Sequence, residues 1–252
     1  MHILNLLEFG PINYLRVDRL QRWLNTEVAN GNHPDTLIVW ESQDVYTAGR
    51  RTKPEDIPNH DIPVIEMDRG GSVTYHGPGQ LVVYPIIKVK PPQDVVRFVR
   101  VTEQALIQAM SEINLETSVV AGRSGVWVQR PGQIDEKLCA IGIKFARETT
   151  MHGLALNVTT DLSKFGEVVP CGITDAGVTS LQAQGLQYNL ENTANLVIKH
   201  LALHYREFQI HPSELANDKH IAGNPQPQQI SLNSLDCKNY LQHLALENEL
   251  PG

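Results

Sequence analysis

The chain has 252 residues, 41% hydrophobic and 19% charged, enough to fold and to bury a sizeable core. A net charge of -7 gives no basic footprint for non-specific nucleic-acid binding, so nucleic acid is not an expected partner. No apolar run reaches the ~18–20 residues that span a bilayer. The start, Met1-His2-Ile3-Leu4-Asn5-Leu6-Leu7-Glu8, lacks the basic segment of a secretory signal, so no membrane association is expected and the cytoplasm is the expected compartment.

Helical periodicity over 12–29 puts Leu15, Leu20, Trp23, Leu24 and Val28 near one face. A strand is predicted over 36–40, and further strands over 64–68, 73–75 and 81–87. A second helix is predicted over 93–114, opened by Asp94 and carrying Val95, Phe98, Val99, Ala105, Leu106 and Ala109. Strand-like runs follow at 118–121, 125–128, 138–143 and 154–158, separated by Gly, Pro and Asp turn signals, and a third helix covers 192–208. This order predicts α+β architecture: a mixed, largely antiparallel sheet flanked by helices, in one domain over 1–212. From His211 the composition shifts to Pro, Asn, Gly and Gln, so 213–252 reads as a C-terminal appendage with a weak helix near 234–246.

Between two strand-like runs lies Arg69-Gly70-Gly71-Ser72-Val73-Thr74-Tyr75-His76-Gly77-Pro78-Gly79-Gln80. Its glycines permit positive φ and close backbone approach to a ligand, and a histidine stands among them. A strand follows Gly79 rather than a helix, which argues against phosphate binding at a helix terminus. Arg50, Arg51, Lys53 and Arg69 cluster near this segment in sequence, with Lys88 and Lys90 beyond it. Such a group forms either a solvated face or a docking surface for an acidic partner.

Three cysteines without a CxxC pair indicate neither a disulfide framework nor a cysteine zinc site. Cys139 falls inside an apolar strand and reads as core, and Cys237 lies in the appendage without supporting context. Cys171, in Val168-Val169-Pro170-Cys171-Gly172-Ile173-Thr174-Asp175, is held on a turn between proline and glycine. It reads either as a small buried hydrophobe or as a reactive thiol. Lys137 and Lys144 bracket the run Leu138-Cys139-Ala140-Ile141-Gly142-Ile143 and are equally eligible by local reading. His152-Gly153-Leu154-Ala155-Leu156-Asn157 offers another histidine beside small residues. His200 and His204 have a spacing that can hold a metal, but no third ligand accompanies them, and no metal site is expected.

Four ordered blocks resemble the octanoyltransferases, the lipoyl(octanoyl) transferases of lipoate biosynthesis. They are the segment from Arg69 to Ile86, the strand from Lys137 to Lys144, His152 to Asn157, and Pro170 to Asp175. The resemblance covers roughly 10–210. It implies the fold of biotin and lipoate protein ligases, related to class II aminoacyl-tRNA synthetases. It also implies that octanoyl, or lipoyl, moves from acyl carrier protein to an enzyme cysteine and then to a lysine. The acceptors implied are lipoyl domains of 2-oxoacid dehydrogenase complexes and the glycine cleavage H protein, and no cofactor is implied. By position in the motifs Cys171 is the nucleophile and Lys137 its activating partner. The acyl pocket is expected from Arg69, Gly70, Gly71, Ser72, Val73, Thr74, Tyr75 and His76, with Ala140, Ile141, Gly142, Gly153, Leu154 and Ala155. His76 is expected to line the site and orient Lys137 or the thioester. The alternatives are an ATP-dependent ligase of the same fold and a non-catalytic module that docks carrier domains.

Overall fold

Two short apolar runs form the centre of the fold because both of their faces are covered. The structure is a computed structural model that describes residues 1–57, 61–165 and 176–209. Strand β2 (Thr36–Trp40) pairs antiparallel with β6 (Gln80–Ile86), with Ile38 opposite Tyr84 and Val39 opposite Val83. Side chains alternate across a strand. Leu37, Val39, Leu81 and Val83 therefore join one core, together with Phe98 and Leu106 of α2 (Val95–Glu112) and Val197 and Leu201 of α3 (Leu190–His204). Ile38, Trp40, Val82 and Tyr84 face the other way, onto Tyr14, Val17, Leu20 and Leu24 of α1 (Tyr14–Ala29).

Around this pair the main sheet runs β1 (His2–Asn5), β2, β6, β10 (Thr149–Asn157), β9 (Asp135–Ala146), β8 (Arg123–Val128) and β7 (Ser118–Val120). The β1–β2 pair is parallel and the other neighbours along this path are antiparallel. A short strand, β11 (Ala176–Val178), lies parallel to β9, with Val178 opposite Lys137. A second, smaller sheet contains β4 (Val64–Glu66), β3 (Val45–Ala48) and β5 (Val73–His76) in that order. This is the expected α+β fold. The chain from β5 to β6 does not form a hairpin, however. It leaves the small sheet and enters the large one, so the glycine segment bridges the two.

The helices begin where polar caps allow. Asn13 accepts from the Leu15 N–H at 3.1 Å, so α1 starts at Tyr14 rather than at 12. Asp94 accepts from Arg97 at 2.9 Å and Asn189 from Asn192 at 2.8 Å at the starts of α2 and α3. Past the end of α2, Asn114 takes φ 59, a left-handed conformation that ends the helix. The run 138–143 belongs to the longer β9 and 154–157 to the longer β10, which ends before Val158; β10 approaches β6 closely at Gly153, where a Cβ would stand 2.0 Å from the Val83 carbonyl oxygen. No helix of the described residues is long and apolar enough to cross a membrane. Cys171, Cys237, the expected helix near 234–246 and the appendage 213–252 lie outside the described residues.

The two-faced core gives a direct stability contrast within α3. Leu201 is 0% exposed and Leu203 is 55% exposed. Leu201→Ala is expected to lower the unfolding free energy by about 2–5 kcal/mol. Leu203→Ala is expected to change it by no more than about 0.5 kcal/mol. Urea unfolding followed by circular dichroism measures both.

Candidate functional site

The glycine segment reaches the large sheet across the middle of β9, with Gly70 against Gly142 and Ile143, and a cavity of about 690 Å³ opens between the segment and strands β9 and β10. Arg69, Gly70, Gly71, Ser72, Val73 and Thr74 form one wall with His76. Ala140, Ile141 and Gly142 of β9 and Gly153, Leu154 and Ala155 of β10 form the facing wall. These two strands pair in register, Gly142 with Gly153 and Ala140 with Ala155, so their small residues make one continuous strip.

Arg69 is buried and does not present an open charge. Its Nη2 donates to the Thr47 carbonyl at 2.5 Å and to Thr47 Oγ1 at 2.8 Å, and its Nη1 donates to the Gly70 carbonyl at 2.9 Å. These bonds clamp the wall onto β3. Gly71 follows at φ +87, where a side chain would be strained. Ser72 donates to Asp56 at 2.8 Å, and Asp56 also accepts from the Lys53 N–H. Those two bonds, the backbone one foremost, hold the Asp56 carboxyl below its usual range.

Asp68, one residue before the wall, gathers three cationic or protonatable partners. It accepts from Lys144 Nζ at 2.5 Å, from His152 Nε2 at 2.8 Å and from Arg22 at 3.2 Å. Burial works to raise its pKa, but these partners outweigh it and hold the carboxyl well below the ordinary range. Gln21 fixes the tautomer of His152. Its amide nitrogen donates to His152 Nδ1 at 3.1 Å while its oxygen accepts the His152 backbone N–H at 2.8 Å. The proton therefore sits on Nε2, facing Asp68. Burial lowers the His152 pKa against the opposing pull of Asp68, so the ring is neutral. His152 lies within β10, at φ 59.

His76 is held in the other tautomer. Its Nδ1–H donates to Gln80 Oε1 at 2.8 Å, and the Gln80 amide nitrogen donates to Asn157 Oδ1 at 3.0 Å and to the Tyr75 carbonyl. Asn157 passes its own N–H to the Thr179 carbonyl at 2.9 Å. Burial, followed by the nearby Arg69 charge, pushes the His76 pKa down to about 3. His76 lines the cavity, is oriented by Gln80 and stacks on Tyr14, with ring centroids 5.4 Å apart. The structure corrects the expectation for Tyr75, which is not among the cavity-lining residues: its ring packs edge-on against Phe165 and its hydroxyl bonds Asp44.

The two candidate lysines part company. Lys144 is bound to Asp68 and stands outside the cavity lining, whereas Lys137 is part of it. Lys137 pairs in register with Trp127 of β8, and its Nζ lies 4.7 Å from the centre of the indole ring. Trp127 and Tyr14 carried no sequence signal of a site role; only the pairing of β8 with β9 brings the indole to Lys137. Cys171 lies outside the described residues. Phe165 and Val178, which flank its segment, both line the cavity. Cys139 is fully buried, and burial pushes its thiol well up, as suits a core residue. His200 and His204 bond Glu112 and Gln108 respectively. Of the basic residues, Arg51 and Lys53 reach the cavity rim with Arg100 and Arg123, while Lys88 is tied to the Ala29 carbonyl at 2.8 Å.

The cavity thus lies between the large mixed sheet and the small one, with glycine and alanine on one wall and a lysine beside them, space that an elongated group of small cross-section can enter. The lipoyl protein ligase A/B catalytic domain matches residues 13–202. An octanoyltransferase of Mycobacterium leprae is 53% identical over 182 residues, 70% of this chain and 77% of that protein. A bipartite lipoate protein ligase from Thermoplasma acidophilum shares the fold at a TM-score of 0.63 and 15% identity, covering 85% of this chain and 89% of that one. A biotin protein ligase from Aquifex aeolicus does so at 0.53 and 15%, covering 82% and 72%. The chain belongs to the lipoyl protein ligase A/B catalytic-domain family, within its octanoyltransferases. It is an acyltransferase.

The buried neutral histidines set an acid dependence. For His76 the folded pKa, about 3, lies below the ordinary 6.5, so between these values the unfolded chain binds a proton that the folded chain refuses. Stability is then present above pH 6.5 and falls as pH drops toward 3. Asp68 and Asp56, with lowered pKa values, lose their contribution in the same direction at lower pH. His76→Phe is expected to flatten the decline between pH 6 and 4, as read from thermal midpoints across that range.

Proposed function

We propose that the protein transfers octanoyl, or lipoyl, from acyl carrier protein to a lysine of a lipoyl domain through a thioester on Cys171. The observation that carries this reading is Lys137 on the wall of a cavity lined by the glycine segment and by the small-residue strip of β9 and β10. Phe165 and Val178, on either side of the Cys171 segment in sequence, line the same cavity. The octanoyltransferase relatives supply the group that is transferred.

The chemistry follows from the groups available. A thiol of ordinary pKa ~8.5 is only slightly ionised at neutral pH. Lowering it to ~7 takes about 2 kcal/mol of thiolate stabilisation, which one ammonium at close range can supply. The thiolate attacks the donor thioester carbonyl, the carrier's sulfur leaves, and a proton from Lys137 neutralises it. The acceptor amine then attacks the Cys171 thioester and passes a proton to the now neutral Lys137. The amide forms as Cys171 departs as thiolate, which restores the starting thiolate and ammonium. Exchange between thioesters is near balance and amide formation is downhill, so no ATP is consumed. Backbone N–H groups of the glycine segment are available to an oxyanion.

Steady-state transfer from octanoyl-acyl carrier protein to a lipoyl domain, without ATP, tests this. Cys171→Ala is expected to abolish turnover, and Lys137→Ala to lower kcat/KM about a hundredfold or more. Lys137→Arg keeps the charge but cannot release its proton near neutrality, and is expected to remain strongly impaired. Transfer that depends on ATP and free octanoate would assign the chain to the ligase reaction instead.

The rim charges give a second expectation. Arg51 and Lys53 are exposed at the cavity mouth of a chain with net charge -7, an arrangement suited to meeting an acidic carrier locally. Replacing Arg51, Lys53 and the adjacent Arg50 with glutamate is expected to reduce kcat/KM for the carrier-bound donor about tenfold at low salt, with the gap closing at high salt. Equal kinetics at low salt would contradict it.

A further inference from the structure

The cavity lining divides by depth. Val96, which is 68% exposed, marks the mouth together with Arg51 and Ser124. Tyr14, only 2% exposed, lies with Tyr84 and His76 in the interior. Between these zones the strip of Ala140, Gly142, Gly153 and Ala155 offers no bulk to an extended chain.

The interior end is rigid. The Tyr84 hydroxyl donates to the Tyr14 hydroxyl at 2.9 Å. Tyr14 stacks on His76, and the Trp40 ring abuts both tyrosines at centroid distances of 5.7 and 5.5 Å. His76 is in turn held by Gln80. Because Tyr84 directs its O–H onto the Tyr14 oxygen, the faces of the two rings are left as apolar surface for a chain end to meet. Tyr14 is the first residue of α1, and Asn13 caps that turn, so the ring cannot retreat without unwinding it.

We propose that Tyr14, backed by Tyr84 and His76, is the stop that sets the longest acyl chain the cavity accepts. This rests on the acyl-transfer reading. Removing the ring extends the channel into the space it filled. Each added buried methylene then favours binding by about fourfold, the equivalent of ~0.8 kcal/mol.

The test compares octanoyl, decanoyl and dodecanoyl carrier-protein donors. Wild type is expected to lose kcat/KM sharply between octanoyl and dodecanoyl. Tyr14→Val is expected to raise the dodecanoyl-to-octanoyl ratio about 15-fold, for two newly accommodated methylenes. Tyr14→Phe retains the ring and should keep the wild-type ratio within about twofold. A folded Tyr14→Val with an unchanged ratio overturns the proposal, and Tyr14→Leu, judged by the same criterion, replaces it if that variant fails to fold. A wild type whose kcat/KM keeps rising through dodecanoyl overturns it without any variant. A wild type that transfers no acyl group from any donor contradicts the transfer reading itself, a separate outcome.

Discussion

Asp68 ties the site to the rest of the molecule. Its carboxylate accepts from Arg22 of α1, Lys144 of β9 and His152 of β10, and the cavity wall begins at the next residue. Three elements distant in sequence are thereby fixed to the base of the glycine segment. Arg69 completes the attachment from the other side, bonding β3 and the carbonyl of Gly70. A segment rich in glycine loses much conformational freedom on folding. The charged anchors at its base offset that cost and hold the segment as a wall.

The same arrangement explains how a cavity with so many polar names can receive an apolar chain. His76, Gln80 and Asn157 pass their donors from one to the next and end on a backbone carbonyl. His152 and Gln21 close a second circuit with Asp68 and Asp18. Both histidines are neutral because burial disfavours their charge. With their hydrogen bonds directed at one another, these residues contribute ring and methylene surface to the cavity. On the Lys137 side the logic reverses: the indole of Trp127 holds the lysine ammonium next to the cavity.

The sequence made the layers and most of the walls legible because they rest on local patterns. The apolar runs at 36–40 and 81–87, helix periodicity, and Asp94 at the start of the second helix each act over a few residues. Strands β1 and β3 escaped because four residues carry little periodicity and their stability comes from partners far along the chain. Tyr75 is indistinguishable from its neighbours in the motif, because only the approach of Phe165 and Asp44, far along the chain, occupies its ring and hydroxyl. Lys137 and Lys144 were indistinguishable locally, since only the approach of Asp68 and Trp127 tells their surroundings apart. Tyr14 gave no signal at all: its role comes from where α1 begins relative to β6.

In the proposed reaction the acyl group passes through a thioester on Cys171. Intact mass spectrometry after mixing with octanoyl-acyl carrier protein, with no acceptor present, tests it most directly. Wild type should gain the mass of one octanoyl group, and Cys171→Ala should gain none. An unmodified wild type, or an adduct that persists in Cys171→Ala, would contradict the account.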